Sequence, residues 1–308
     1  MLPSVEPASS APSDQSSLGL PQRRQWLLWA AASLLLGRQA PANPAGTAVR
    51  RIICAGGALT ETVHLLGAGA ELVAVDTTSQ YPPSVRQLLS VGYVRALSAE
   101  GMLALRPSLV LSTEDAGPAA VLRQVAAAGV QVAVLPAEES FAAMLGRCRQ
   151  VAQLIGRDAQ AGPLLARLQQ EWAQLQHGRV PVASRAPRVL FVLSHVPGQI
   201  MVGGRDTGIE RVIAYAGGVN AVDGFSGYKP LTPEAVIAAQ PDVLLLTDRS
   251  IRVLGSVAQA LQLPGLQHTP AGRSRRALVF EANYLLGFGP RLPALVRELR
   301  RDLQGASA

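Results

Sequence analysis

Lysine is nearly absent from this 308-residue chain: Lys229 is the only one, so the 28 basic residues are almost all arginine. Cysteine is scarce as well, with Cys54 and Cys148 far apart, which excludes a disulfide-rich scaffold and a structural zinc ribbon. Four scattered histidines with no HxH or HxxxH spacing argue against a zinc hydrolase. Aromatic residues are only 4% of the chain and charged residues 16%, while 48% are hydrophobic. That balance fits neither a disordered chain nor a coiled coil. The formal net charge is +7. No zinc-finger, basic-zipper or RNA-binding motif accompanies the arginines, so nucleic acid is not the expected partner. The charge reads first as compositional bias and second as a preference for an acidic partner.

What is present begins with an address. Residues 1–21 are rich in Ser, Pro and Ala, and Arg23-Arg24 then precedes the apolar run Trp26–Leu36. Eleven residues are too few to cross a hydrocarbon core of about 30 Å at about 1.5 Å per residue. The run fits the hydrophobic region of a signal peptide. Gln22-Arg23-Arg24-Gln25-Trp26-Leu27 matches a twin-arginine export signal, and an ordinary secretory signal is the alternative. Ala40-Pro41-Ala42 is a small-x-small cleavage site, placing the signal at 1–42 and the mature protein in the periplasm. The segment carries three arginines against one Glu and one Asp, so its removal leaves a charge of +6.

The remainder alternates strand and helix patterns. Arg51–Ala55, Leu72–Val75, Ser108–Ser112 and Val130–Leu135 read as buried strands. Helices are expected from Leu59 or Thr60 to Leu66 and over Pro118–Ala128. The same grammar returns with strands at Arg188–Leu193, Asp242–Leu246 and Ala277–Phe280, and helices at Gly208–Ala216 and Arg291–Leu303. Between the halves, Ser140–Gln176 is helical with a break near Gly156. Its second part carries Leu164, Leu165, Leu168, Trp172 and Leu175 on one stripe. This predicts an α/β fold of two Rossmann-like lobes, each with a mostly parallel sheet, joined by a long connector helix with a ligand cleft between them. The expected divisions are an N-terminal lobe over 43–155, a connector over 156–185 and a C-terminal lobe over 186–308.

An internal repeat supports two lobes. Leu97-Ser98-Ala99-Glu100 and Leu231-Thr232-Pro233-Glu234 are each followed by a proline seven residues after the Glu and then a strand, at an offset of 134 residues. Ser98 and Thr232 are N-cap candidates, with an acid in the first turn near the positive end of the helix dipole. Gly92-Tyr93-Val94-Arg95 precedes one copy and Gly227-Tyr228-Lys229 the other.

These strings, with AGGALTETVHLLGAG, VGYVRALSAEG, VGGRDTG, GYKPLTPEAV and GFGPR, resemble the periplasmic haem-binding proteins of bacterial ABC importers. That family lies in the helix-linked class of substrate-binding proteins, whose other members carry cobalamin or ferric siderophores. The resemblance runs from about Val49 to Leu303 and is most specific in the GYVRALSAEG loop. It implies a haem carrier, monomeric and not an enzyme, that delivers haem to an ABC permease in the inner membrane. It assigns the haem iron ligand to Tyr93, whose phenolate would be a hard donor suited to ferric iron. A second iron ligand from the other lobe would be His195. Arg95, Tyr228, Lys229 and Arg205 would serve the propionates or the ligand's surroundings. Glu100 and Glu234, one per lobe, would dock on permease arginines, with Glu61 as the alternative acid.

Cargo alternatives on the same fold are cobalamin or a ferric siderophore, and a haem-handling enzyme or sensor is a different class. No GxSxG elbow stands near Ser194-His195 to support a hydrolase. Cys54 reads as a core thiol. A Cys54–Cys148 bridge stays open at this stage.

Overall fold

The computed structural model describes residues 50–177, 185–196, 199–230 and 232–305. The expected signal segment and its cleavage site lie outside the described residues. Among the described residues no helix is long and apolar enough to cross a membrane.

The N-terminal half opens with β1 (Ile52–Ala55), α1 (Gly57–Leu65), β2 (Leu72–Val75) and β3 (Leu89–Ser90). A two-stranded hairpin, β4 (Gly92–Tyr93) and β5 (Ala96–Leu97), precedes α2 (Ala99–Ala104). Then come β6 (Leu109–Thr113), α3 (Ala119–Ala127), β7 (Gln131–Leu135) and α4 (Phe141–Ile155). The five-stranded sheet has the order β3-β2-β1-β6-β7 and is parallel throughout. Its central strands β1 and β6 are buried on both faces, with alternate residues pointing to opposite sides. Ile52, Cys54, Leu109 and Leu111 pack under α1 and α4. Ile53, Ala55, Ala74 and Val110 join Met102 of α2 and Leu122 and Val125 of α3.

The C-terminal half holds β8 (Arg188–Val196), β9 (Gln199–Gly203), α6 (Gly208–Tyr215), β10 (Val219–Asn220) and β11 (Tyr228–Pro230), following the connector α5 (Asp158–His177). It continues through α7 (Pro233–Ala239), β12 (Val243–Thr247), α8 (Asp248–Leu254), α9 (Val257–Ala260), α10 (Pro270–Arg273), β13 (Ala277–Phe280), α11 (Ala282–Leu286) and α12 (Leu292–Gln304). The second sheet runs β11-β9-β8-β12-β13, with β10 paired to the start of β8. Here β8, β12 and β13 are parallel, while β9 and β11 form an antiparallel edge. The same two-faced alternation recurs. Val189, Phe191, Val243 and Leu245 lie on one side. Leu190, Val192, Leu244 and Leu246 lie on the other.

Most expected strands and helices are present, with ends moved by one or two residues. Two differences are larger. The first helix starts at Gly57 rather than Leu59 or Thr60, because Gly56 leaves the strand at φ 138° and its carbonyl accepts from both Leu59 and Thr60. β9 was not expected at all. Residues 199–203 pair antiparallel to β8.

Helix α5 ties the halves together. Its first part contributes Ala161, Leu164, Leu165 and Leu168 to the N-terminal core. Leu175 enters the C-terminal core, and Trp172 packs against it. Trp172 stacks on Phe141 at 4.3 Å and meets Tyr215 edge-on at 4.8 Å. A stiff rod anchored in two cores resists independent lobe motion. Leu168 is 1% exposed. Leu168→Ala should therefore cost about 2–5 kcal/mol of unfolding free energy in urea titrations, whereas a loss well below about 1 kcal/mol would mean that the connector is not part of the core.

Candidate functional site

The C-terminal strand ends of the two sheets face each other, which is where open α/β sheets place ligands. The contacts between the halves come from residues near those ends. After β1, Glu61 meets Asn283 and Arg291 beyond β13. After β2, the Thr77 carbonyl accepts from Arg249 Nη2 at 3.0 Å, just beyond β12. After β7, the Glu139 carbonyl accepts from Arg211 Nη1 at 3.4 Å, and the Glu139 carboxylate lies against Gly208 at the start of α6. Arg147 on α4 donates to the Phe288 carbonyl at 2.9 Å.

Tyr93 sits on this seam. The β4–β5 hairpin is held by backbone bonds on several sides: Val91 N–H to Val75, Thr77 N–H to the Gly92 carbonyl at 2.9 Å, and Gly117 N–H to Val94. Val91, Val94 and Leu97 bury their side chains in the core below. Gly92 has φ 95°, a conformation that strains other residues. The hairpin therefore has a fixed base, and Tyr93 remains 43% exposed.

Arg95 follows on the same turn and donates to Asp115 Oδ2 at 3.1 Å, while Thr113 Oγ1 donates to Asp115 Oδ1 at 2.6 Å. Burial would push the Asp115 carboxyl up, but the bonds from Thr113 and Arg95 outweigh it and hold the group below its usual range. Burial pulls the Arg95 guanidinium down, and the Asp115 bond with the nearby Tyr93, Asp115 and Glu139 charges raises it overall. Arg95 is thus a fixed cation beside Tyr93.

Across the seam stands Tyr228, 39% exposed, on β11 opposite Gly203. Its ring meets Phe191 edge-on at 6.4 Å. Burial pushes its phenol up to about 12; the Glu139 charge adds to this and the Arg95 charge opposes it. Tyr228 of one lobe and Tyr93, Arg95 and Glu139 of the other therefore share one electrostatic neighbourhood.

Other expected residues are placed differently. Lys229 is the neighbour of Tyr228 along a strand, so it points to the opposite face, and its ammonium lies 5.0 Å from the Phe225 ring centroid. Arg205 is exposed, with its backbone bonded to Phe225 and Gly227. His195 lies near the C-terminal end of β8, beside a register shift between Leu193 and Val196. Cys54 and Cys148 are free, buried thiols, and burial raises both, so the bridge left open by the sequence is not formed here.

Glu100 and Glu234 are exposed in the first turns of α2 and α7. Ser98 Oγ accepts from Gly101 N–H and Thr232 Oγ1 from Ala235 N–H, so both caps form. Equivalent residues, Arg106 at φ 46° and Gln240 at φ 40°, follow the two helices. The two copies of the repeat thus share a local fold, including a left-handed exit the sequence did not announce.

Glu61 is not on that outer surface. It is 2% exposed, and its carboxylate accepts from Arg291 Nε at 2.9 Å and Asn283 Nδ2 at 3.2 Å. Burial raises its carboxyl, opposed by the bond and charge of Arg291. Asp115, Glu139 and Arg249 were also missed by sequence reading. The available signal was position, since each follows a β-strand at its C-terminal end.

Comparison with known proteins bears on the family and the fold. A family model described as "Periplasmic binding protein" matches residues 52–284. The structure of the periplasmic heme-binding protein BhuT in complex with two hemes is 43% identical, with a TM-score of 0.79, over 84% of this chain and 99% of that one. Apo periplasmic heme-binding protein RhuT from Roseiflexus sp. RS-1 is 40% identical, with a TM-score of 0.81, over 84% and 99%. The vitamin B12-binding protein of Pectobacterium atrosepticum is 27% identical over 76% of this chain and 82% of its own.

The Arg95–Asp115 pair makes a direct prediction. In Arg95→Ala the Asp115 carboxyl should titrate at a higher pH than in the wild type, as followed by carboxyl-carbon NMR. A lowered carboxyl stabilises the fold above its unfolded pKa, and that contribution is lost as pH falls through the folded value. The variant should therefore show a shallower acid-side loss of stability. An unmoved Asp115 titration would contradict the pairing.

Proposed function

The chain belongs to the periplasmic binding protein family, and from that membership we propose that it captures haem between its lobes and delivers it to an ABC permease of the inner membrane. It is a transport component and not an enzyme. The observation that carries the haem reading is an exposed tyrosine on a hydrogen-bonded hairpin with a paired arginine two residues on, in a chain 40–43% identical to two heme-binding proteins.

In this reading Tyr93 ligates ferric iron through its phenolate. Arg95 lowers the cost of that anion. Tyr228 covers the porphyrin from the other lobe. His195 is the candidate for the opposite iron face, and Arg205 and Lys229 for propionates that reach the rim. The net positive charge suits a cargo that carries two propionates. Glu100 and Glu234, exposed and locally alike, are the two docking acids. Two like patches on one chain suit a partner built with two-fold symmetry. Export through the twin-arginine route, a monomeric state and lobe divisions at 43–155, 156–185 and 186–308 complete the proposal.

Cobalamin is the second reading, favoured by the relative that carries that name. The described residues hold one tryptophan, Trp172, and it is stacked in the connector rather than free to face a corrin.

Two measurements test the proposal. Tyr93→Phe should abolish the phenolate-to-iron charge-transfer bands of the ferric haem complex and weaken binding by about tenfold or more, which is about 1.4 kcal/mol. Unchanged bands and affinity would remove Tyr93 as ligand. Glu100→Ala with Glu234→Ala should abolish haem transfer to reconstituted permease with haem affinity intact. Lost haem affinity would instead place these acids in the cleft.

A further inference from the structure

Thr77 is the one residue bonded both to the Tyr93 hairpin and to the other lobe among the described hydrogen bonds. Its N–H donates to the Gly92 carbonyl at 2.9 Å, immediately before Tyr93. Its carbonyl accepts from Arg249 Nη2 at 3.0 Å, across the seam. The remaining side-chain hydrogen bonds described between the lobes end on Glu61, on the Glu139 carbonyl or on the Phe288 carbonyl, none of which is itself hydrogen-bonded to the hairpin.

Both anchors of this strap are stiff. On the N-terminal side, buried Asp76 accepts from Gly56 N–H at 3.0 Å, Thr78 N–H at 2.8 Å and Ser79 Oγ at 2.8 Å. The backbone on either side of Thr77 is thereby fixed. On the C-terminal side, Thr247 Oγ1 caps α8 by accepting from Ser250 N–H at 3.0 Å. Asp248, next to Arg249, accepts from Ala282 N–H at 2.9 Å and from Arg252 Nη1 at 2.8 Å. A charged donor held on one rigid base and a carbonyl held on another form a bond with little freedom to drift.

We propose that Arg249 is a positioning residue for Tyr93, acting through Thr77 and the Gly92 carbonyl so that the placing of the iron ligand depends on the placing of the C-terminal lobe. The inference rests on the haem reading above. Parting the lobes breaks the strap, and the hairpin loses its outer support at the moment the cargo must leave. Arg249 thus links lobe separation to loosening of the iron bond.

The test uses the full mature protein loaded with ferric haem. Arg249→Gln should shift the phenolate-to-iron charge-transfer band and speed haem release to apomyoglobin by about tenfold, the size expected for loss of a charge-assisted bond. Arg249→Lys, which keeps charge and donor, should recover part of both. Arg211→Gln, which cuts a different bond between the lobes, should leave the band unmoved. In a Tyr93→Phe background, Arg249→Gln should add nothing to the release rate. A wild-type band and rate in Arg249→Gln overturn the proposal, as does a full additional effect in the Tyr93→Phe background, which would mean that Arg249 acts independently of the ligand. If Tyr93→Phe alone retains the band, the ligand reading fails. If it loses the band while Arg249→Gln does not, only the positioning inference fails.

Discussion

The relation between the two lobes depends on one buried ion pair. Glu61 comes from the helix after β1 and Arg291 from the turn before α12, and they meet with Glu61 almost fully excluded from water. The Arg291 guanidinium carbon lies 4.0 Å from the Tyr81 ring centroid and 4.6 Å from that of Tyr284, one ring from each lobe. Such a pair adds little net stability against an apolar substitute, but removing one partner leaves a buried charge and costs about 3–5 kcal/mol. Its contribution is register. A bidentate guanidinium–carboxylate contact flanked by two rings sets the register in which the lobes meet. With α5 rooted in both cores, it fixes which strand ends oppose which.

That arrangement decides the chemistry of the seam. Neither sheet alone assembles the site. To the proposed site the N-terminal half contributes Tyr93, Arg95, Asp115 and Glu139 from beyond its strand ends, and the C-terminal half contributes Tyr228 and Arg249. Charge alternates across the group. Arg95 is balanced by Asp115, Glu139 lies against the start of α6, and the Tyr228 phenol stays protonated because burial and the Glu139 charge both oppose its ionisation. Of the two tyrosines, Tyr93 is the one with an arginine two residues on that is paired with a carboxylate, and a hydrogen-bonded hairpin beneath it. The proposed docking acids, Glu100 and Glu234, sit on short capped helices outside this group.

The sequence displayed the frame clearly and the site unevenly. Buried parallel strands are near-continuous apolar runs, so Leu72–Val75 and Ala277–Phe280 appear with their ends in place. The repeat was readable because caps are local chemistry, and Ser98 and Thr232 form the expected bonds. The antiparallel edge formed by β9 and β11 was not readable, because short strands beside glycines carry little period. Lys229 looked equivalent to Arg95 by spacing, yet strand alternation turns it towards Phe225. Glu61 looked like a surface acid within a helix, and only the second lobe shows that it is buried. Arg249 had no motif at all, since its role depends on a carbonyl 172 residues away.

The proposed cargo of this seam is haem, with one phenolate for ferric iron and cations for the propionates. Titration calorimetry of the wild-type mature protein with ferric haem and with cyanocobalamin, side by side, tests it most directly. The account predicts saturable haem binding and no measurable heat from cobalamin. Saturable cobalamin binding with no uptake of haem would contradict it.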